Sequence, residues 1–203
     1  MNHESSTTHQ DILIAGVGGQ GILTIAGIIG TAALERGLHV KQSEVHGMAQ
    51  RGGAVVSHLR LSEQPIASDL IGRGRADLLL AMEPMEGLRH LPYLKHDGVL
   101  VANSVPVRNL KSYPAMENLI AHIARWQKRR ILDAEALARK AGTVRAVNSV
   151  LLGAASPFLM IPAEAIRDAV ASFFDYKGAD VVEKNLLAFD LGRAAVEQDS
   201  KSL

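Results

Sequence analysis

The sequence predicts an α/β fold: a mostly parallel sheet flanked by helices, with further helices at the C-terminal end. Three observations carry that prediction. Short, continuous apolar runs recur at Asp11–Ala15, Ala76–Ala81 and Val99–Ala102, as strands buried on both faces of a parallel sheet require. Segments of helical periodicity alternate with them, and three helical patterns finish the chain.

Taken in order, Asp11–Ala15 is the first strand and runs into glycines. Ile22–Arg36 follows as a helix stopped by Gly37. No residue from Ile12 to Leu34 is charged, but glycines at 16, 18, 19 and 21 break the run, and Ile22–Leu34 is too short to span a bilayer. That helix is apolar nearly all round until Glu35, so it is expected to be buried on all sides. The sheet covers one side; either a partner subunit or a C-terminal helix covers the other.

Leu38–Ser43 is the second strand and Ala54–Leu61 the third, with Val55, Ser57, Leu59 and Leu61 on one face. The strands Ala76–Ala81 and Val99–Ala102 are separated by a helix around Pro84–Lys95. A helix near Met116–Lys128, a short strand Arg130–Asp133 and a helix from Ala134 to the stop at Gly142 come next. The chain ends in helices at Ala146–Phe158, Pro162–Phe174 and Ala179–Val196, the last with a docking stripe of Val182, Leu186 and Phe189. One domain, residues 11–196, is expected between flexible tails, 1–10 and 197–203.

At 203 residues and 47% hydrophobic, the chain can bury a substantial core. Its 22 basic and 21 acidic residues are dispersed and leave a net charge of +1, so there is no footprint for nucleic acid or an anionic membrane. With no cysteine, the chain cannot form disulfides, a cysteine nucleophile or cysteine-ligated iron–sulfur clusters. Met1–Gln10 is polar, without an apolar core of signal-peptide length, and a cytoplasmic location is expected. His39, His90, His96 and His122 lack ligand spacing, and no metal site is expected.

Gly16-Val-Gly18-Gly19-Gln20-Gly21 satisfies G-x-G-x-x-G between a strand and a helix, the arrangement of a Rossmann-like nucleotide fold. Glycines there let the backbone approach an anion at a helix N-terminus. The dinucleotide pattern also asks for an acidic residue at the end of the second strand, where this chain has Lys41-Gln-Ser-Glu44. From the loop alone, an NAD(P) site, a structural turn, another phosphate-bearing ligand and a subunit contact all stay open.

Ser43–Gly53 concentrates Glu44, His46, Gln50 and Arg51 on a glycine-rich stretch, a density of polar groups that suggests a site. Read by itself, it is equally a solvated loop. Together, Gly16–Thr24 and Ser43–His58 closely resemble the gamma-type domain of 2-oxoacid:ferredoxin oxidoreductases. The resemblance continues through Ala76–Pro84 and Asn148–Gly153 and spans about Asp11 to Arg193. Within that family, Leu132–Ala138 and the chain length are most similar to the small subunits acting on indolepyruvate or another arylpyruvate.

The resemblance implies a large partner subunit carrying thiamine diphosphate and iron–sulfur clusters, with no cofactor held by this chain alone. The complex would oxidatively decarboxylate a 2-oxoacid, reduce ferredoxin and pass the acyl group to coenzyme A. It further implies that Glu44, His46, Gln50 and Arg51 face the active site or coenzyme A at the subunit interface, Arg51 holding a phosphate or carboxylate. Gly16, Gly18, Gly19, Gln20 and Gly21 would serve backbone packing or a coenzyme A phosphate. Arg73 and Arg75 either add charge there or are surface arginines. The alternative is a stand-alone NAD(P)-dependent reductase of Rossmann type.

Overall fold

Burial on both faces sends the first apolar run to the middle of the sheet. The computed structural model describes residues 8–46, 53–108 and 113–199. Strands β1 (His9–Val17), β2 (His39–His46), β3 (Ala54–Ser62), β4 (Ala76–Ala81), β5 (Leu94–Asn103) and β6 (Arg129–Leu132) form one six-stranded sheet in the order β2-β3-β1-β4-β5-β6. β1, β4, β5 and β6 are parallel, whereas β3 runs antiparallel to both of its neighbours, β1 and β2.

Helices α1 (Ile22–Glu35), α2 (Pro84–His90), α3 (Met116–Ile123), α4 (Ala134–Lys140), α5 (Val147–Ala155), α6 (Ala163–Phe174) and α7 (Ala179–Asp199) cover the two faces. Ile12, Ile14, Leu59, Leu78 and Leu80 pack under α1 and the C-terminal helices, and Leu13, Ala15, Leu79 and Leu100 under α2 and α3. The alternation expected in β3 holds: Val55, Leu59 and Leu61 join the α1-side core, while Val56 packs on the other face.

The apolar helix α1 lies against β1, β2 and β3 on one side and α5 and α6 on the other. C-terminal helices therefore supply its cover, although Leu23 and Leu34 stay more than half exposed, at 54% and 62%.

Several boundaries move for identifiable reasons. β1 begins at His9, and Gln10, expected in the N-terminal tail, is buried. Its amide donates to the Phe158 carbonyl at 2.7 Å and accepts from the Met160 N–H at 2.9 Å, so burial leaves no polar group unpaired. α2 ends at His90 because Pro92 has no N–H to continue it, and a single 3₁₀ turn, Leu91–Tyr93, leads straight into β5. Gly98 lies inside β5, where a side chain would approach the Ala76 carbonyl to 3.0 Å beside an irregularity in the β4–β5 register. α3 stops at Ile123, short of Lys128. Asp133, expected in a strand, caps α4 by accepting from the Ala136 N–H at 2.8 Å. α7 continues to Asp199, taking in residues expected in the C-terminal tail.

The tightest helix contact is between α5 and α7. A Cβ on Gly153 would lie 1.9 Å from the Phe189 carbonyl oxygen, and one on Gly192 would lie 1.9 Å from that of Val150. Ser149 Oγ donates to Asn185 Oδ1 at 2.7 Å in the same contact. Among the described residues, no helix is long and apolar enough to cross a membrane.

Candidate functional site

The glycine loop starts where β1 ends and is pinned on three sides. Gln20 Oε1 accepts from the Val17 N–H at 2.7 Å, and its Nε2 donates to the Met82 carbonyl at 3.2 Å. The Gly18 N–H donates to the Gly53 carbonyl at 2.9 Å. Asn148 Nδ2 donates to the Gly21 carbonyl at 3.4 Å. Gly21, with φ of 77°, turns the chain into α1, and a Cβ there would fall 2.1 Å from Asn148 Nδ2.

The bond from Gly18 to Gly53 joins the two segments that the sequence singled out. Between them lies a cavity of about 290 Å³, with Gly18, Gly19 and Gly21 on one wall, Glu44 and Val55 on another, and Leu23 at the rim. Glu44 reaches it because β2 pairs with β3 in the register Glu44–Ser57, which sets its side chain on the face that α1 covers. His46 ends β2 opposite Val55. Gln50 and Arg51 lie outside the described residues.

α1 has no side-chain cap and no acidic residue in its first turn, so the helix itself does not offset the positive end of its dipole beside the cavity. Glu44 opposes it across the space. That pairing suits a ligand with an anionic group at the helix end and a hydroxyl or amine toward the carboxylate.

A pyridine dinucleotide meets a different geometry. β3 stands between β1 and β2, so Glu44 is two strand spacings, about 10 Å, to the side of β1 instead of on the adjacent strand. α1 and α2 pack on opposite faces, which puts the topological switch point between the ends of β1 and β4. Ligands of open α/β sheets bind in that crevice. Here Gln20 bridges it to Met82, and a Cβ on Gly16 would come within 2.8 Å of both residues. Both ends of the Gln20 amide are thus occupied within the fold, and Gly16 is a packing position. Gly18, Gly19 and Gly21 are the loop residues that line the cavity.

Arg73 and Arg75 precede β4, at the opposite end of the sheet from the glycine loop, about 20 Å away at six residues of strand. Arg73 stacks over the Tyr93 ring at 6.0 Å.

Other polar groups carried no sequence signal beyond their place in family-like stretches. Asn103 Nδ2 donates to the Met82 carbonyl at 3.3 Å, and its Oδ1 accepts from the Ala134 N–H at 3.1 Å. Glu83, fully buried, caps α2 by accepting from the Glu86 N–H at 2.6 Å and also accepts from the Tyr113 hydroxyl. Burial pushes the Glu86 carboxyl up and the His90 and His58 imidazoles down. His58 Nδ1 accepts from the Ile71 N–H at 3.0 Å. No group of side chains with metal-binding geometry occurs among the described residues.

Residues 11–195 match the family described as pyruvate ferredoxin/flavodoxin oxidoreductase. The indolepyruvate oxidoreductase subunit IorB of Pyrococcus horikoshii is 37% identical, over 93% of this chain and 96% of its own length. A keto/oxoacid ferredoxin oxidoreductase gamma subunit from Geobacter sulfurreducens superposes with a TM-score of 0.69 at 27% identity, over 93% of this chain and 99% of that one. The fold also matches the 2-oxoglutarate:ferredoxin oxidoreductase of Magnetococcus marinus, solved with 2-oxoglutarate, coenzyme A and succinyl-CoA bound. There the TM-score is 0.76 at 22% identity, and the match covers 95% of this chain but 32% of that longer one.

Proposed function

The chain belongs to the pyruvate ferredoxin/flavodoxin oxidoreductase family, and from that premise we propose that it is the small subunit of an indolepyruvate-type 2-oxoacid:ferredoxin oxidoreductase. The observation that carries this reading is the end-to-end match to an indolepyruvate oxidoreductase subunit. None of the relatives described above is an NAD(P) reductase, and Gln20 spans the crevice that such an enzyme would use.

In this reading a large subunit holds thiamine diphosphate and the iron–sulfur clusters, which supply decarboxylation and electron transfer to ferredoxin. The absence of cysteine here fits that division. The complex works in the cytoplasm, with neither nucleic acid nor membrane as a partner. This chain's own part is to bind and orient coenzyme A at the subunit interface. Gly19, Gly21 and the first turn of α1 receive a phosphate of coenzyme A, with Gly18 lining the space and Arg51 adding a cation. Glu44 accepts from a hydroxyl or amine of the same ligand, and His46 and Gln50 are the further candidates for contact with it. Leu23, exposed at the cavity rim, is available to the partner.

The test is reconstitution. The chain alone should show no turnover with indolepyruvate, coenzyme A and ferredoxin, and activity should appear on adding the large subunit. Full activity without the large subunit would sink the reading.

A further inference from the structure

Two carboxamides from distant parts of the chain converge on one carbonyl. Gln20, in the glycine loop, and Asn103, at the end of β5, both donate to the Met82 oxygen, at 3.2 and 3.3 Å. Each amide is anchored at its other end. Gln20 Oε1 accepts from the Val17 N–H at 2.7 Å, and Asn103 Oδ1 accepts from the Val105 and Ala134 N–H groups at 3.3 and 3.1 Å. The ends of β1, β4 and β5 and the start of α4 are thereby tied through a single oxygen, across the crevice where an open α/β sheet ordinarily takes its ligand.

We propose that Gln20 and Asn103 are positioning residues, a brace that closes the switch-point crevice and fixes the glycine loop along the Glu44-side cavity. A carbonyl oxygen has two lone pairs, and the two amides use both, so neither bond substitutes for the other. A loop carrying Gly18, Gly19 and Gly21 has little side-chain packing to hold it, and the brace supplies the missing restraint. The consequence for catalysis rests on the reading of this loop as the coenzyme A contact; the restraint itself does not.

The isosteric variants Gln20→Glu and Asn103→Asp separate the two. Each keeps the oxygen that accepts from the backbone and replaces the donor to Met82 with a carboxylate oxygen. Amide exchange across residues 18–23 of the full chain should accelerate by about tenfold in either variant while the distant strands keep their protection. In the complex with the large subunit, Gln20→Glu should raise KM for coenzyme A by about fivefold, the worth of one hydrogen bond, with little change in KM for the 2-oxoacid. Unchanged exchange in the loop of both folded variants overturns the brace. Faster exchange with an unchanged KM for coenzyme A upholds the brace and overturns the coenzyme A reading instead. Should Gln20→Glu fail to fold, Asn103→Asp decides by the same exchange measurement.

Discussion

His58 lies buried on β3 with the Ile71 amide donating to its Nδ1, edge-on to the Tyr93 ring. Protonation at that nitrogen would remove the acceptor, and burial, followed by the nearby His90, holds the imidazole below its ordinary range. An unfolded histidine takes up its proton below about pH 6.5. The unfolded state therefore binds more protons in the window just below that pH, so this contribution is fully present above the window and is lost as pH falls through it. Glu86 works the other way: burial raises its carboxyl, so its contribution fades as pH rises above the ordinary carboxylate range. His58→Asn retains an oxygen able to accept from Ile71 without titrating. Thermal unfolding of that variant should lose less stability between about pH 6.5 and pH 5 than the parent does. An unchanged pH slope would assign the effect to His90. None of this was legible in the sequence, where a histidine on a strand gives no hint of which neighbour shields it.

At the scale of elements, the contact between α5 and α7 depends on two glycines facing two carbonyls. Gly153→Ala or Gly192→Ala forces the helices apart and should cost about 3 kcal/mol or more in urea unfolding. Gly27→Ala in α1 is the control: a Cβ there meets nothing within 4 Å, and the change should be neutral or should stabilise by about 0.5–1 kcal/mol. A comparable loss in all three variants would mean that the close approach of α5 and α7 does not set the result. Most strands and helices were readable because each is apolar at its own period. The misreadings cluster where one residue carries two messages. Gly98 lies outside the expected strand Val99–Ala102 but is where β5 passes close to β4, and Asp133 reads as strand but caps a helix.

For the whole molecule, the family was legible because the glycine loop and the Ser43–Gly53 segment, each ambiguous alone, are diagnostic together, and the fold brings them to one cavity. Strand order was not legible. Apolar runs mark which segments are buried and say nothing of neighbours, so the insertion of antiparallel β3 beside β1 had no sequence signature. That insertion is also what moves Glu44 away from the place a dinucleotide needs it. Calorimetry on the full chain should accordingly give no heat with NAD(H) or NADP(H), and micromolar binding would reopen the reductase alternative. The position of β1 has a further consequence, in the order of synthesis. Of the six strands of this sheet, the earliest made is a central one, and Gln10 on it must find partners 148 and 150 residues later, at Phe158 and Met160. At roughly 5–20 residues per second, that interval lasts roughly 8–30 s, during which Gln10 lacks its final partners, whereas the strands that flank Ile12–Ala15 are made by residue 81. Slowing translation past residue 81, once β3 and β4 exist to flank it, therefore costs this chain less than a pause before residue 54.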